Sequence, residues 1–221
     1  MDPINSDGVK PTSVSRPGIG SPRRVEGLSD GVFAIVMTLI VLQVAVPRGS
    51  SSELPGELVR IVPTLLIYVL TFVTLGFLWF GNRTQSELIA HADHPLVWLN
   101  LLFLLLVAMI PFTAALLGEH PGDRLAVILY AGHLTLTSLA HALCWIYASW
   151  HPELLRAGVS AGYRRTSRWF SLAPAAGYAL TSLIGAIFPL AGLIVAALVP
   201  LPFVTGIYYR ALARIDRDAH D

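Results

Sequence analysis

The chain has 221 residues, of which 54% are hydrophobic and 13% charged, and its net charge is +1. The charges gather in gaps between apolar runs long enough to cross a bilayer, which takes about 20 helical residues each. This excludes a soluble globular domain, offers no basic surface for nucleic acid, and predicts an all-α, polytopic membrane protein. The single cysteine, Cys144, excludes an intrachain disulfide.

Residues 1–22 are rich in Pro, Gly and Ser and lack an apolar core. They read as a flexible tail, neither a signal peptide nor a span. Arg24-Val-Glu-Gly-Leu-Ser-Asp30 then leads into GVFAIVMTLIVLQVAVP, which predicts a first span over roughly 28–47. Ser29 and Asp30 suit its first turn, where their oxygens can accept from unpaired backbone N–H groups. A carboxylate against a membrane segment also needs a partner. On a helical wheel Ile35, Leu39, Leu42 and Val46, with Thr38 at the edge, share an arc of about 100°. Asp30 lies away from that stripe, beside Met37 and Phe33. One face is therefore smooth and apolar with a single hydroxyl, and the other turns Asp30 towards the body of its own subunit.

Five more spans follow, at roughly 58–82, 95–117, 125–149, 169–188 and 190–209. The second ends on Trp79, Asn82 and Arg83. The last two meet at Pro189 with almost no loop, which predicts a tight helical hairpin. The residues HPELLRAGVSAGYRRTSR form the longest and most basic connection. Twelve of the 15 Lys and Arg residues fall on the side shared by both termini. The positive-inside rule then places both termini in the cytoplasm and agrees with an even number of spans. The expected organisation is a tail at 1–22, a six-span domain at 23–213 and a short cytoplasmic tail at 214–221.

Trp79 and Asn82 sit at the same cytoplasmic level as Arg24 and Asp30. Two readings stay open: an interfacial anchor with a helix terminus, or a polar cluster. In the cluster Asp30 pairs with Arg24 while Trp79 and Asn82 complete its hydrogen bonds. His133 and His141, eight apart in the fourth span, lack the spacing of ligand pairs on one helix. Hydrogen bonding between helices, near Thr135, Thr137 and Ser138, is the expected use of these two. No G-x-S-x-G serine and no pair of carboxylates on one span supports an intramembrane hydrolase. The T-V-G-Y-G filter loop is also absent from the sequence.

The opening of the first span resembles the family of the endosomal and lysosomal potassium channel, transmembrane protein 175, and its bacterial relatives. That family carries R-x-x-x-F-S-D at this place. Arg24, Ser29 and Asp30 match it, Leu28 stands where the phenylalanine falls, and the continuation GVFAIVMTLIVL is similar. The six spans and the tryptophan near the end of the second extend the resemblance over most of the chain. It implies a non-enzymatic, potassium-selective cation channel of the bacterial plasma membrane, with no cofactor beyond the permeant potassium ions. It further implies that the first helix lines a central pore, with a constriction at Ile35, Leu39 and Leu42 and a hydroxyl ring from Thr38. Animal members carry two six-span repeats per chain. No duplication is visible in this chain, so a homotetramer in the bilayer is expected. The competing readings are a secondary transporter and a non-conducting membrane protein that binds haem or a metal through His133 and His141.

Overall fold

The computed structural model describes residues 22–47 and 50–206. The tails expected at 1–22 and 214–221, and the arginines Arg48, Arg210, Arg214 and Arg217, lie almost wholly or wholly outside the described residues. The described chain is helical: α1 (Pro22–Leu39), α2 (Leu54–Leu88), α3 (His94–Glu119), α4 (Arg124–Trp150), α5 (Ala161–Ser171), α6 (Ala173–Gly185), α7 (Pro189–Leu198) and α8 (Leu201–Val204). Two short 3-10 turns, Ile40–Gln43 and Pro152–Leu154, follow α1 and α4.

By length and composition, four helices among the described residues can cross a membrane: α1 with its 3-10 extension, α2, α3 and α4. The segment expected as a fifth span breaks at Leu172. Ahead of the break, AGYRRTSRWFS forms α5, whose three arginines place it outside any apolar run. Behind it, the 13 residues of α6 reach only about 20 Å at 1.5 Å per residue, short of a hydrocarbon core of about 30 Å. The sixth segment is likewise divided, with α7 and α8 separated around Pro200 and forming an apolar stretch over Pro189–Phe203. The hairpin at Pro189 is present: α6 and α7 pack on each other.

α4 is the axis of the protomer, with α3 on one flank and α6 on the other, while α1 lies against α3 and α2. Its core face carries Val127, Tyr130, Ala131, Leu134 and Ala148, all fully buried. In lipid no hydrophobic gain separates one apolar contact from another, so close packing and interhelical hydrogen bonds hold such a bundle. Both occur. Thr71 and Tyr130 share a hydrogen bond of 3.0 Å, and Tyr178 donates to Thr74 at 3.5 Å, tying α2 to α4 and α6 through four buried hydroxyls. Gly185 and Gly192 let α6 and α7 approach with backbones nearly touching.

Three helix starts follow side-chain caps. Asp93, Asp123 and Ser160 accept from the backbone N–H of Leu96, Ala126 and Tyr163 and open α3, α4 and α5. At the end of the bundle where α3 and α5 start, the α2–α3 and α4–α5 connections join by backbone hydrogen bonds. Ala90 donates to Leu154 at 2.8 Å and Arg156 to Leu88 at 2.9 Å.

Gly192→Ala should lower the melting temperature of the solubilised protein. Its Cβ would lie 2.7 Å from the Gly185 Cα, and overpacking of this kind costs about 1–3 kcal/mol. Gly56→Ala, where a Cβ meets nothing within 4 Å, should not destabilise. A Gly192→Ala protein melting with the wild type in a fluorescence-monitored scan would show that the two helices are not in close contact.

Candidate functional site: the faces of the first helix

α1 has two faces. Phe33, Val36 and Ile40 are buried against the bundle, with the Phe33 ring 6.0 Å from that of Phe103. On the other side Ile35, Thr38, Leu39 and Leu42 are exposed on the protomer, Ile35 at 60% and Leu42 at 74%. The stripe drawn on a regular wheel holds only as far as Leu39. From Ile40 the backbone tightens to a 3-10 turn and Val44 is extended, and Pro47, which can neither donate to the Gln43 carbonyl nor clear it, keeps the α-helix from resuming. Leu42 and Val46 therefore stay exposed on a backbone of different pitch. The Thr38 hydroxyl donates back to its own helix, to the Ile35 carbonyl at 2.8 Å and the Ala34 carbonyl at 3.1 Å. Its oxygen keeps lone pairs with which to accept a further donor or meet a cation.

The buried face is fastened by polar contacts. The Trp79 indole N–H donates to Asp30 Oδ1 at 2.8 Å and joins α1 to α2. Ser29, buried, donates to the Val25 carbonyl at 3.0 Å and accepts from Asn100 at 3.3 Å, joining α1 to α3. Arg83 meets Glu26 at 3.6 Å, a second tie to α2.

Two expectations are corrected here. α1 already runs from Pro22, so Ser29 and Asp30 lie in its interior and do not cap its first turn. Arg24 is exposed and forms no ion pair with Asp30 among the described residues, because six positions on one helix set side chains about 9 Å and 240° apart. Asn82 is buried and lines a small cavity with Val25, Asn100 and Cys144, but makes no hydrogen bond to Asp30 among the described residues. The sequence reading missed Asn100 and the Glu26–Arg83 pair. The lone amide of Asn100, set in an otherwise apolar run, was the available signal for the first.

The histidines of α4 turn to different neighbours. His133 shares a hydrogen bond of 3.0 Å with Thr113 on α3. The His141 ring packs 5.0 Å from that of Phe103 and against Gly81 of α2, where a Cβ would come 3.1 Å from it. Among the described residues no three His, Cys, Asp or Glu side chains gather where they could hold a metal ion.

The chain is similar to known proteins. Residues 24–111 match the family described as the endosomal/lysosomal potassium channel TMEM175. A protein of Chamaesiphon minutus named a potassium channel is 34% identical over 148 residues, spanning 64% of this chain and 73% of its own. The crystal structure of a lysosomal potassium-selective channel TMEM175 homologue from Chamaesiphon minutus superposes with a TM-score of 0.75 at 26% identity, covering 83% of this chain and 96% of that one. The Danio rerio protein, named an endosomal/lysosomal proton channel TMEM175, is 28% identical over 61% of this chain but only 26% of its own length.

Trp79→Phe should destabilise the protein by about 1.5–3 kcal/mol, the worth of a hydrogen bond to a charged group. Asp30→Asn, which keeps an oxygen to accept from Trp79, should cost less, and ion preference should survive both changes. Thermal melts paired with currents from reconstituted protein would read the two effects separately. Altered ion preference at unchanged stability would move Asp30 from the scaffold to the ion path.

Proposed function

The chain belongs to the TMEM175 family, multi-pass membrane proteins that are ion channels and not enzymes, and from that premise we propose that it is a potassium-selective channel. Four copies surround one axis, each with six membrane segments, the fifth made of the last turn of α5 together with α6 and the sixth of the α7–α8 stretch. Both termini are cytoplasmic, the membrane is the bacterial plasma membrane, and α1 lines the pore. The reading is carried by one observation. A stripe of branched side chains interrupted by one hydroxyl is left exposed on the protomer, while the opposite face of the same helix is fastened to α2 and α3.

A ring of Ile35, Leu39 and Leu42 side chains offers no oxygen to replace an ion's water, so when narrow it dries and stops the current. It conducts when it widens enough for a partly hydrated ion. Potassium releases its water more readily than sodium and passes such a ring more easily. Four Thr38 oxygens, each with its proton already committed to the helix, add acceptors at one level and strengthen that preference. The stripe carries no titratable side chain. It therefore offers no relay of protonatable groups, and the potassium reading follows the bacterial relative's name rather than the zebrafish relative's.

The test is current from the purified protein in planar bilayers under opposed potassium and sodium solutions. The wild type should reverse towards the potassium potential. Thr38→Ala should move the reversal towards zero with assembly intact, and Ile35→Asn, which wets the ring, should raise conductance several-fold. Unchanged reversal in Thr38→Ala would remove the hydroxyl from the ion path. Saturable coupled uptake without unitary current would identify a transporter.

A further inference from the structure

α5 and the end of α4 form an open groove away from the face of α1. Its walls are Ile146, Trp150 and Leu172 with Arg165, Arg168 and Trp169, so apolar surface meets two guanidinium groups. Trp150 and Trp169 are exposed at 64% and 74%. Indoles of this size left open on a membrane protein sit at the level of the lipid headgroups. Arg165 and Arg168, three apart on one helix, share a side of it. Neither forms an ion pair among the described residues, where the pairs are made by Arg60 and Arg83. Arg168 is steadied by its Nε donating to the Arg164 carbonyl at 3.2 Å, which leaves its terminal amino groups for another partner. Arg164 points elsewhere, onto the Ser149 carbonyl at 3.3 Å. Asp93, across from Tyr147 of α4, is engaged by the Tyr147 hydroxyl and the Leu96 N–H, and Glu153 pairs with no arginine among the described residues.

We infer that this groove binds an anionic phospholipid of the surrounding bilayer, with its phosphate between Arg165 and Arg168 and an acyl chain along Ile146, Leu172 and the two indoles. Charge complementarity chooses the occupant. A soluble anion has no use for the apolar wall, and a zwitterionic lipid brings its own cation to the arginines. Basic groups at the cytoplasmic ends of membrane helices meet a leaflet rich in anionic lipid, where each contributes appreciably to attraction. The proposal rests on the membrane reading of the chain and not on which ion it conducts.

The full-length protein in detergent, titrated with dioleoyl phosphatidylglycerol or dioleoyl phosphatidylcholine and followed by native mass spectrometry, tests it. The wild type should retain phosphatidylglycerol preferentially. Arg165→Gln/Arg168→Gln should weaken that binding by about thirtyfold, while Arg124→Gln, at the opposite end of α4, should not. If the double variant fails to fold, the unmodified protein still decides. Phosphatidylglycerol with brominated acyl chains should quench its tryptophan fluorescence at concentrations where the brominated phosphatidylcholine does not, and Trp150→Phe/Trp169→Phe should reduce the quench. Equal binding of the two lipids, or equal loss in Arg124→Gln, would overturn the site. A double variant with altered oligomeric mass and unchanged lipid binding would also overturn it, because a second copy of the chain would then cover the groove.

Discussion

A carboxylate held at the edge of hydrocarbon needs a donor from its own protein, and Asp30 takes the indole N–H of Trp79. That contact, reinforced by Ser29 with Asn100, sets the rotation of α1 about its axis. With Asp30 turned inward, Phe33, Val36 and Ile40 follow it into the core, and Ile35, Thr38 and Leu39 have to face out. Greasy contacts alone could not choose this rotation, because Ile35 and Val36 satisfy lipid or protein equally well. Two polar contacts on the same helix decide what its apolar residues are used for.

The same economy runs through the rest of the bundle. Thr71, Thr74, Tyr130 and Tyr178 satisfy one another at the junction of α2, α4 and α6, where each hydroxyl alone would be a buried orphan. Thr113 does this for the Nδ1 of His133, whose buried Nε2 finds no partner among the described residues. Glycine does the complementary work of removing bulk, at Gly81 beside the His141 ring and at Gly185 and Gly192 in the α6–α7 hairpin. The polar residues of α4 that first suggest a ligand site are used as joints between helices.

The long helices were legible because an apolar run is a local property: spans expected at 58–82, 95–117 and 125–149 lie within α2, α3 and α4. The inward rotation of Asp30 was legible from periodicity, and Trp79 from its level in the membrane. What failed depended on the length or pitch of a helix. The polar start of α1 at Pro22 hid the fact that Arg24 belongs to the same helix as Asp30, and the 3-10 turn at Ile40 cut short a wheel drawn with constant pitch. The residues of α5 read as a connection because three arginines in eleven residues mask an amphipathic helix that buries Ser167 and hydrogen-bonds it to Trp145. Partners distant in the chain, such as Glu26 with Arg83, leave no trace in spacing.

The short antiparallel bridge between Ile89 and Leu155 is made by main-chain atoms, which every residue except proline supplies in full. Its strength is therefore nearly indifferent to which side chains those turns carry, and their sequence is free to drift. Mechanically it rivets two helical hairpins, α2–α3 and α4–α5, into one block at that rim. Any rearrangement inside a protomer is then left above all to the broken elements after Leu172, since the first helix is itself tied to α2 and α3.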